Sequence, residues 1–218
     1  NGENFLKQSI ASVLKQEFKD FELLVCDDGS SDNSKDMIAS FKDERVRVFS
    51  NEKNKGLFAT LNFLIRKAQS ELIHIWSQDD IMKPQCLAEE LLFDKKHPHT
   101  GMSYCQADII NAFGKIVGLA PNDKTPGEIP SVLAAQIMFY HGCIAGNISN
   151  VVIKKTVLDR VGYFREDLKV SGDFEMWARI SEKYPIGFLN KSLILLRRHE
   201  KQFSRSEAAA VTFASENR

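Results

Sequence analysis

No stretch of this chain approaches the roughly 20 consecutive apolar residues that a membrane-spanning helix needs. No charged start running into a short apolar core reads as a secretory leader. Both absences leave peripheral association with a membrane open, because surface binding needs no span. Cysteine is scarce. Cys26, Cys86, Cys105 and Cys143 are the only four in 218 residues, and no two form a C-x-x-C pair. That spacing offers neither a zinc motif nor a disulfide framework. A reducing, cytoplasmic compartment is expected, with the inner face of a membrane as a further option. Cys26 sits in an apolar run and is expected to be a buried thiol. Net charge is missing too, since 29 lysines and arginines balance 29 aspartates and glutamates. A broad electrostatic surface for nucleic acid is therefore not expected. Neither a Walker-type loop nor G-x-G-x-x-G occurs, which argues against ATP- and NAD-dependent chemistry. Internal repeats and low-complexity segments are also lacking.

What is present can bury a full core, as one large domain or two small ones. Residues 4–16 predict an amphipathic helix with Phe5, Leu6, Ile10, Val13 and Leu14 on one face and Lys7, Gln8, Lys15 and Gln16 on the other. A strand over 22–26 follows, then a loop of turn formers and N-caps, then a helix with Met37, Ile38 and Phe41 inward. A second strand at 46–49 leads through a polar loop to a helix with Leu57, Leu61, Leu64, Ile65 and Ala68 on one stripe. Residues 72–76 predict a buried strand, and 84–96 a helix that buries Leu87, Leu91 and Leu92 before His97-Pro98. This alternation predicts an α/β fold, a mostly parallel sheet with helices on both faces. After residue 100 the pattern changes to a strand at 102–106, a hairpin around 111–114 and a loop over 119–130. Helices at 131–140, 156–161 and 171–184, strands at 151–153 and within 189–198, and a polar tail complete the reading.

Two predicted strands end in paired carboxylates, Asp27-Asp28 and Asp79-Asp80. In an open α/β sheet the carboxyl edge is where ligands bind. Adjacent carboxylates repel and need a cation or a proton. A hard divalent metal on a phosphate-bearing substrate supplies the cation. One pair would serve base or ribose, the other the metal; the competing reading of either pair alone is a solvated turn with a helix cap.

Ordered motifs then carry a resemblance. Asn1-Gly2-Glu3-Asn4-Phe5-Leu6 resembles the N-x-x-x-[FY]-L helix start of inverting family-two glycosyltransferases with the GT-A fold. The run from Phe21 to Asp32, containing Val25-Cys26-Asp27-Asp28-Gly29-Ser30, is similar to their strand ending in D-D-G-S. Asn54-Lys55-Gly56 with Asn62, and Val161-Gly162-Tyr163-Phe164, have family counterparts. Ser77-Gln78-Asp79-Asp80 stands where the family has D-x-D-D, and Gly172-Asp173-Phe174-Glu175-Met176-Trp177 where it has E-D-x-[DE]-[LM]-W. Arg198-His199-Glu200 with Ser204 resembles the closing R-x-H-x-x-[NQ]-x-S.

The resemblance implies a single GT-A domain over 1–218, with 1–100 binding a nucleotide-sugar and 101–218 the acceptor. It implies metal-dependent transfer of a sugar, with inversion, from a nucleoside-diphosphate-sugar to a hydroxyl of a polysaccharide, glycolipid or protein glycan. A UDP-sugar is the first expectation. Asp27 and Asp28 would contact base and ribose, and Lys53, Asn54 and Gly56 would shape the base pocket. Asp79 would ligate Mn2+ or Mg2+ with His199, and Asp80 would support metal or donor sugar. Asp173 would be the catalytic base, near a helix N-terminus that keeps it ionised. Glu175 could pair with Arg179; Trp177 is either core or an acceptor platform; Arg197 and Arg198 either reach the diphosphate or line a solvated strand end. Ser77 and Gly172 replace family carboxylates, so a degenerate nucleotide-sugar-binding module is the alternative. The family's first apolar strand would immediately precede Asn1 and is expected in the natural protein; without it the sheet has a gap.

Overall fold

Apolar residues at helical spacing wind α1 (Leu6–Leu14), which buries Leu6, Ile10 and Val13, each contributing about 1.5–3 kcal/mol. The first half of the computed structural model continues with β1 (Leu23–Asp28), α2 (Ser34–Ala39), β2 (Val46–Asn51), α3 (Leu57–Lys67), β3 (Leu72–His74), β4 (Ile81–Met82) and α4 (Cys86–Lys96). The second half has β5 (Met102–Asn111), β6 (Ile116–Gly118), β7 (Glu128–Ile129), α5 (Ser131–His141), β8 (Val151–Lys154), α6 (Lys155–Val161), α7 (Gly172–Ser181), β9 (Ile186–Arg198) and α8 (Glu207–Glu216). The structure describes residues 1–121, 125, 127–200, 202 and 207–216. Ser204 of the closing motif lies outside them. No helix among the described residues is long and apolar enough to cross a membrane.

The expected α/β class with a central sheet is present, but the strands divide into two sheets. β1 and β2 form a parallel pair by themselves. The larger sheet runs β3-β8-β5-β9-β4, with β6 on β5 and β7 on β9. Its spine is the parallel β5–β9 ladder, from Met102 opposite Ile186 to Asn111 opposite Arg198. Its other pairings are antiparallel, so the fold is more mixed than the alternation of the first hundred residues suggests. Among the described residues no strand joins β1 to β3. The two Asp-Asp pairs therefore end different sheets rather than one.

α1 connects those sheets. Its apolar face meets Ile38 and the inward side of β1. Ser9 Oγ donates to the Ser77 carbonyl at 3.1 Å and accepts from Trp76 Nε1 at 2.8 Å. Ser12 Oγ accepts from Met82 N–H at 3.0 Å. Gln16, expected on the polar face, is fully buried, giving Nε2 to the Lys83 carbonyl and taking the Leu87 N–H. β3 also ends two residues early, because Trp76 turns away to reach Ser9.

Two helices are rotated from their expected faces by buried polar groups. On α3, Leu57 is exposed while Phe58, Thr60, Asn62 and Ile65 are buried. The Asn62 amide explains this, giving Nδ2–H to the Phe164 carbonyl and taking the Phe164 N–H, at 2.9 and 3.0 Å. On α4, Leu92 is exposed and Cys86 and Glu90 face inward, because Glu90 meets His74. The expected polar tail contains α8, whose Glu216 accepts the N–H groups of Lys169, Val170 and Ser171. Trp177 is core, edge-on to Phe164 and packed with Met176 and Ile180, not a surface platform. Cys26 is half-buried rather than buried, and Cys143 is exposed.

Candidate functional site

The corner begins where β3 gives way to the turn before β4. Ser77 Oγ donates to Asp79 Oδ1 at 2.6 Å. Asp79 Oδ2 accepts from Gln202 Nε2 at 3.2 Å and lies 3.1 Å from His199 Nε2. The His199 ring packs on Phe5, centroids 4.7 Å apart. Oxygen and nitrogen donors about 3 Å apart suit neighbouring ligands of one small dication with bonds of about 2.1 Å. The Asp79 carboxylate suits magnesium or manganese, and the imidazole is the softer donor of the pair. The expected ligands Asp79 and His199 are thus brought together.

Asp80 is buried and more occupied. Its Oδ1 takes the Arg197 N–H at 2.8 Å, and its Oδ2 takes the Ser149 hydroxyl at 2.6 Å. Burial, and then the charge of Asp79, push its pKa up to about 6 against those hydrogen bonds. Asp80 braces the corner and offers little free surface to a donor. Arg197 is likewise committed. Its guanidinium donates to the carbonyls of Asp79, Asn111 and Ala112 and to Gln8 Oε1, and it stacks over Phe5. It therefore ties α1, β5 and β9 together rather than reaching out to a diphosphate, whereas Arg198 is exposed.

At the end of β1 the paired aspartates have separate roles. Asp28 Oδ1 accepts from Asn51 Nδ2 at 2.7 Å and Lys55 N–H at 3.0 Å, and Oδ2 from Gly56 N–H at 3.0 Å. Burial raises its pKa, but these donors outweigh burial and hold it below the usual value. Asp28 thus fastens the 51–56 loop. Gly56 turns with φ +93°, a conformation open to glycine. Asn54 Oδ1 shares its N–H, and Lys53 and Asn54 are otherwise exposed. Asp27 is different: it is buried, and its Oδ1 has no hydrogen-bond partner among the described residues. A partnerless buried carboxylate oxygen is rare and marks a place for a donor.

Asn1 and Gly2 link the two corners. Asn1 Oδ1 accepts the Ser31 N–H, Gly2 N–H donates to Ser34 Oγ, and the Asn1 carbonyl accepts from Gln78 Nε2, at 2.7, 2.8 and 3.2 Å. A cleft of about 490 Å³ adjoins the Asp79 corner, lined by Ala107, Ile109, Gly146, Asn147, Arg198 and Gln202 among others. A larger concavity of about 780 Å³, lined by 19–21 and 42–45, lies at the amino ends of β1 and β2, away from the aspartates.

Asp173 opens α7, where its Oδ1 accepts the Phe174 N–H at 2.8 Å. Burial pushes its pKa up, and the backbone hydrogen bonds only partly oppose this. Burial, and to a smaller extent the charge of Asp173, raise the pKa of Cys143, which precedes the cleft-lining Gly146 and Asn147. Gly172, standing where a glutamate was expected, has a packing cause: a Cβ there would come 2.6 Å from Phe58 Cε2. Glu175 pairs with Arg179 at 2.7 Å as expected, and Arg179 also donates to the carbonyls of Val161 and Tyr163. Two site residues were missed. Gln202 was foreshadowed by the [NQ] of the closing motif, whose spacing from His199 it matches. Ser149, in the 3-10 turn Ile148–Asn150, carries no sequence signal.

Comparison with known proteins accords with this fold. The Glycosyl transferase family 2 model matches residues 1–153. The chain is 29% identical over 208 residues to UDP-Glc:alpha-D-GlcNAc-diphosphoundecaprenol beta-1,3-glucosyltransferase WfgD of Escherichia coli, covering 94% of this chain and 76% of that protein. An uncharacterised glycosyltransferase of Rickettsia conorii is 28% identical over 210 residues, covering 94% of this chain but only 34% of its own length. TarS 1-349 of S. aureus in complex with UDP-GlcNAc shares the fold with a TM-score of 0.75 at 21% identity, over 94% of this chain and 58% of that one. The chain therefore spans well under two thirds of some of the proteins it matches. With its α/β sheet, paired aspartates and matched family model over most of its length, the chain belongs to glycosyl transferase family 2.

Proposed function

We propose that this chain is the transferase unit of an inverting, metal-dependent glycosyltransferase. It would move a sugar from a nucleoside diphosphate, UDP first, to a hydroxyl acceptor in polysaccharide or glycan synthesis. Residues 1–100 would serve the donor and 101–218 the acceptor. The names of WfgD and of the UDP-bound TarS structures support a UDP-sugar donor. The observation that carries the reading is the Asp79–His199 pair at 3.1 Å, across the Asn1–Gly2 link from the partnerless Asp27 oxygen.

Asp79 and His199 would hold Mn2+ or Mg2+, which when bound offsets charge on the leaving diphosphate. Asp27 would accept a hydrogen bond from the nucleotide. Asp173 would take the acceptor hydroxyl proton as its oxygen bonds the anomeric carbon. The bond from that carbon to the diphosphate breaks on the opposite face, and the diphosphate leaves with the electron pair. The raised pKa of Asp173 makes it a stronger base once ionised. Ser77 orients Asp79, and Gly172 makes room for Phe58. Both departures from the family pattern have structural reasons.

The test is UDP release from a panel of UDP-sugars with and without Mn2+, comparing wild type with Asp173→Asn. The expected result is metal-dependent turnover, reduced at least ~10²-fold in the variant, with UDP binding retained. Equal turnover by the variant would remove Asp173 from the chemistry. Failure of the wild type to bind any nucleotide would overturn the reading.

A further inference from the structure

Directly behind the Asp79–Asp80 corner lies a buried charged group that the donor reading does not use. His74 and Glu90 have side chains only 10% and 6% exposed. His74 Nδ1 is 3.0 Å from Glu90 Oε2, and Nε2 is 2.9 Å from the Ser149 carbonyl oxygen. A carbonyl can only accept, so Nε2 carries a proton. Nδ1 faces a carboxylate, and without a proton between them two lone pairs would oppose each other in the core. A proton on Nδ1 makes His74 an imidazolium and leaves Glu90 ionised. Burial alone would lower the His74 pKa, but the Glu90 charge and the two hydrogen bonds outweigh it and raise it. Glu90 Oε1 accepts the Cys86 thiol at 3.3 Å. His74, Cys86 and Glu90 have ligand atoms within 4.8 Å of one another, yet each already has a protein partner, so the group is complete without a metal.

Ser149 carries this pair forward. Its carbonyl holds His74. Its hydroxyl donates to Asp80 Oδ2 at 2.6 Å and accepts the Ser77 N–H at 3.2 Å. Ser77 in turn orients Asp79. We propose that His74 and Glu90 form a buried imidazolium–carboxylate pair that positions Ser149, and through it Ser77, Asp79 and Asp80, for binding of the cation and diphosphate. They are positioning residues, since neither touches the donor. The inference rests on the donor-site reading above. Stability is a poor reason for such a pair, because a well-packed apolar replacement is often neutral or stabilising.

That contrast supplies the test. The variants are His74→Phe with Glu90→Leu, which removes both charges together, and Ser149→Ala, which keeps the pair and cuts the link to Asp80. The probe is UDP with MnCl2, measured by calorimetry, with Tm recorded alongside. The double variant should stay folded, with Tm lowered only by the Ser149 carbonyl left without its donor, and bind Mn–UDP about 10- to 100-fold more weakly, as loss of outer-shell support does. Ser149→Ala should weaken binding similarly, and combining the two should add little, because they act through one path. Nitrogen-15 NMR of the apo wild type should show His74 with both ring nitrogens protonated at pH 7.5. A neutral His74, stoichiometric zinc in the purified protein, or a folded double variant that binds Mn–UDP like wild type would each overturn the proposal. A wild type that binds no Mn–UDP would overturn the donor site and the positioning role with it, while the NMR spectrum still decides the pair separately.

Discussion

Asp79 and Asp28 are both strand-end aspartates, and their partners set opposite expectations. Asp79 meets neutral donors and an imidazole at the corner. Asp79→Asn and His199→Ala should each weaken Mn-dependent UDP binding at least about 10-fold, Asp79→Asn more because it also removes the charge that a hard cation prefers. Titrating Mn2+ at fixed UDP measures this, and a variant with unchanged Mn2+ affinity would remove that residue from the ligand set. Asp28 instead holds a loop. Asp28→Asn should cost about 2 kcal/mol in urea unfolding, the loss of charge-assisted hydrogen bonds to two backbone N–H groups. The sign with pH follows from its lowered pKa. The stabilisation is fully present above its unfolded value near 3.8 and lost as pH falls through the lower folded value. The gap between wild type and Asp28→Asn should therefore be constant near neutrality and close below about pH 3.8.

At the scale of elements, the α3–α7 contact is the most exacting. Phe58 lies over Gly172, the first residue of α7, and is almost fully buried. Gly172→Ala would drive a methyl into that ring and should cost about 1–3 kcal/mol by overpacking, with Asp173 displaced. Phe58→Leu should recover much of that loss in the Gly172→Ala background while destabilising wild type. Additive losses in the double variant, by chemical denaturation, would refute the contact. Hydrophobic period and turn chemistry made several elements legible, because α1, β2, the β5–β6 hairpin and the Gly162 stop follow rules of local spacing. The faces of α3 and α4 were not legible, because Asn62 faces inward for Phe164, 102 residues away along the chain, and Glu90 for His74, 16 residues away. The meeting of Asp79 with His199 was legible through ordered motifs. Ser149 was not, since its role arises only where a turn without a pattern meets Asp80. The gap between β1 and β3 was legible from the family's first strand, expected just before Asn1, whereas alternation of helix and strand did not tell which of the later strands pair.

The whole molecule joins a large sheet to a small one. Among the described residues β1 pairs with β2 in parallel. α1 and the Asn1–Gly2 segment connect β1 to the Asp79 corner through side-chain and main-chain hydrogen bonds. A donor that uses both Asp27 and Asp79 would reach both the end of β1 and the β3–β4 corner, so binding should stabilise both. At 100 times its dissociation constant a ligand contributes about 2.7 kcal/mol, so β1 and 51–56 loop amides that open only with loss of the ligand should exchange roughly 10²-fold more slowly. Hydrogen-exchange mass spectrometry with UDP and MnCl2 reads this directly. Protection at the β3–β4 corner and at β1 together would show one site built across two sheets. Protection at the corner alone would leave Asp27 outside the donor site and return its partnerless oxygen to a structural question.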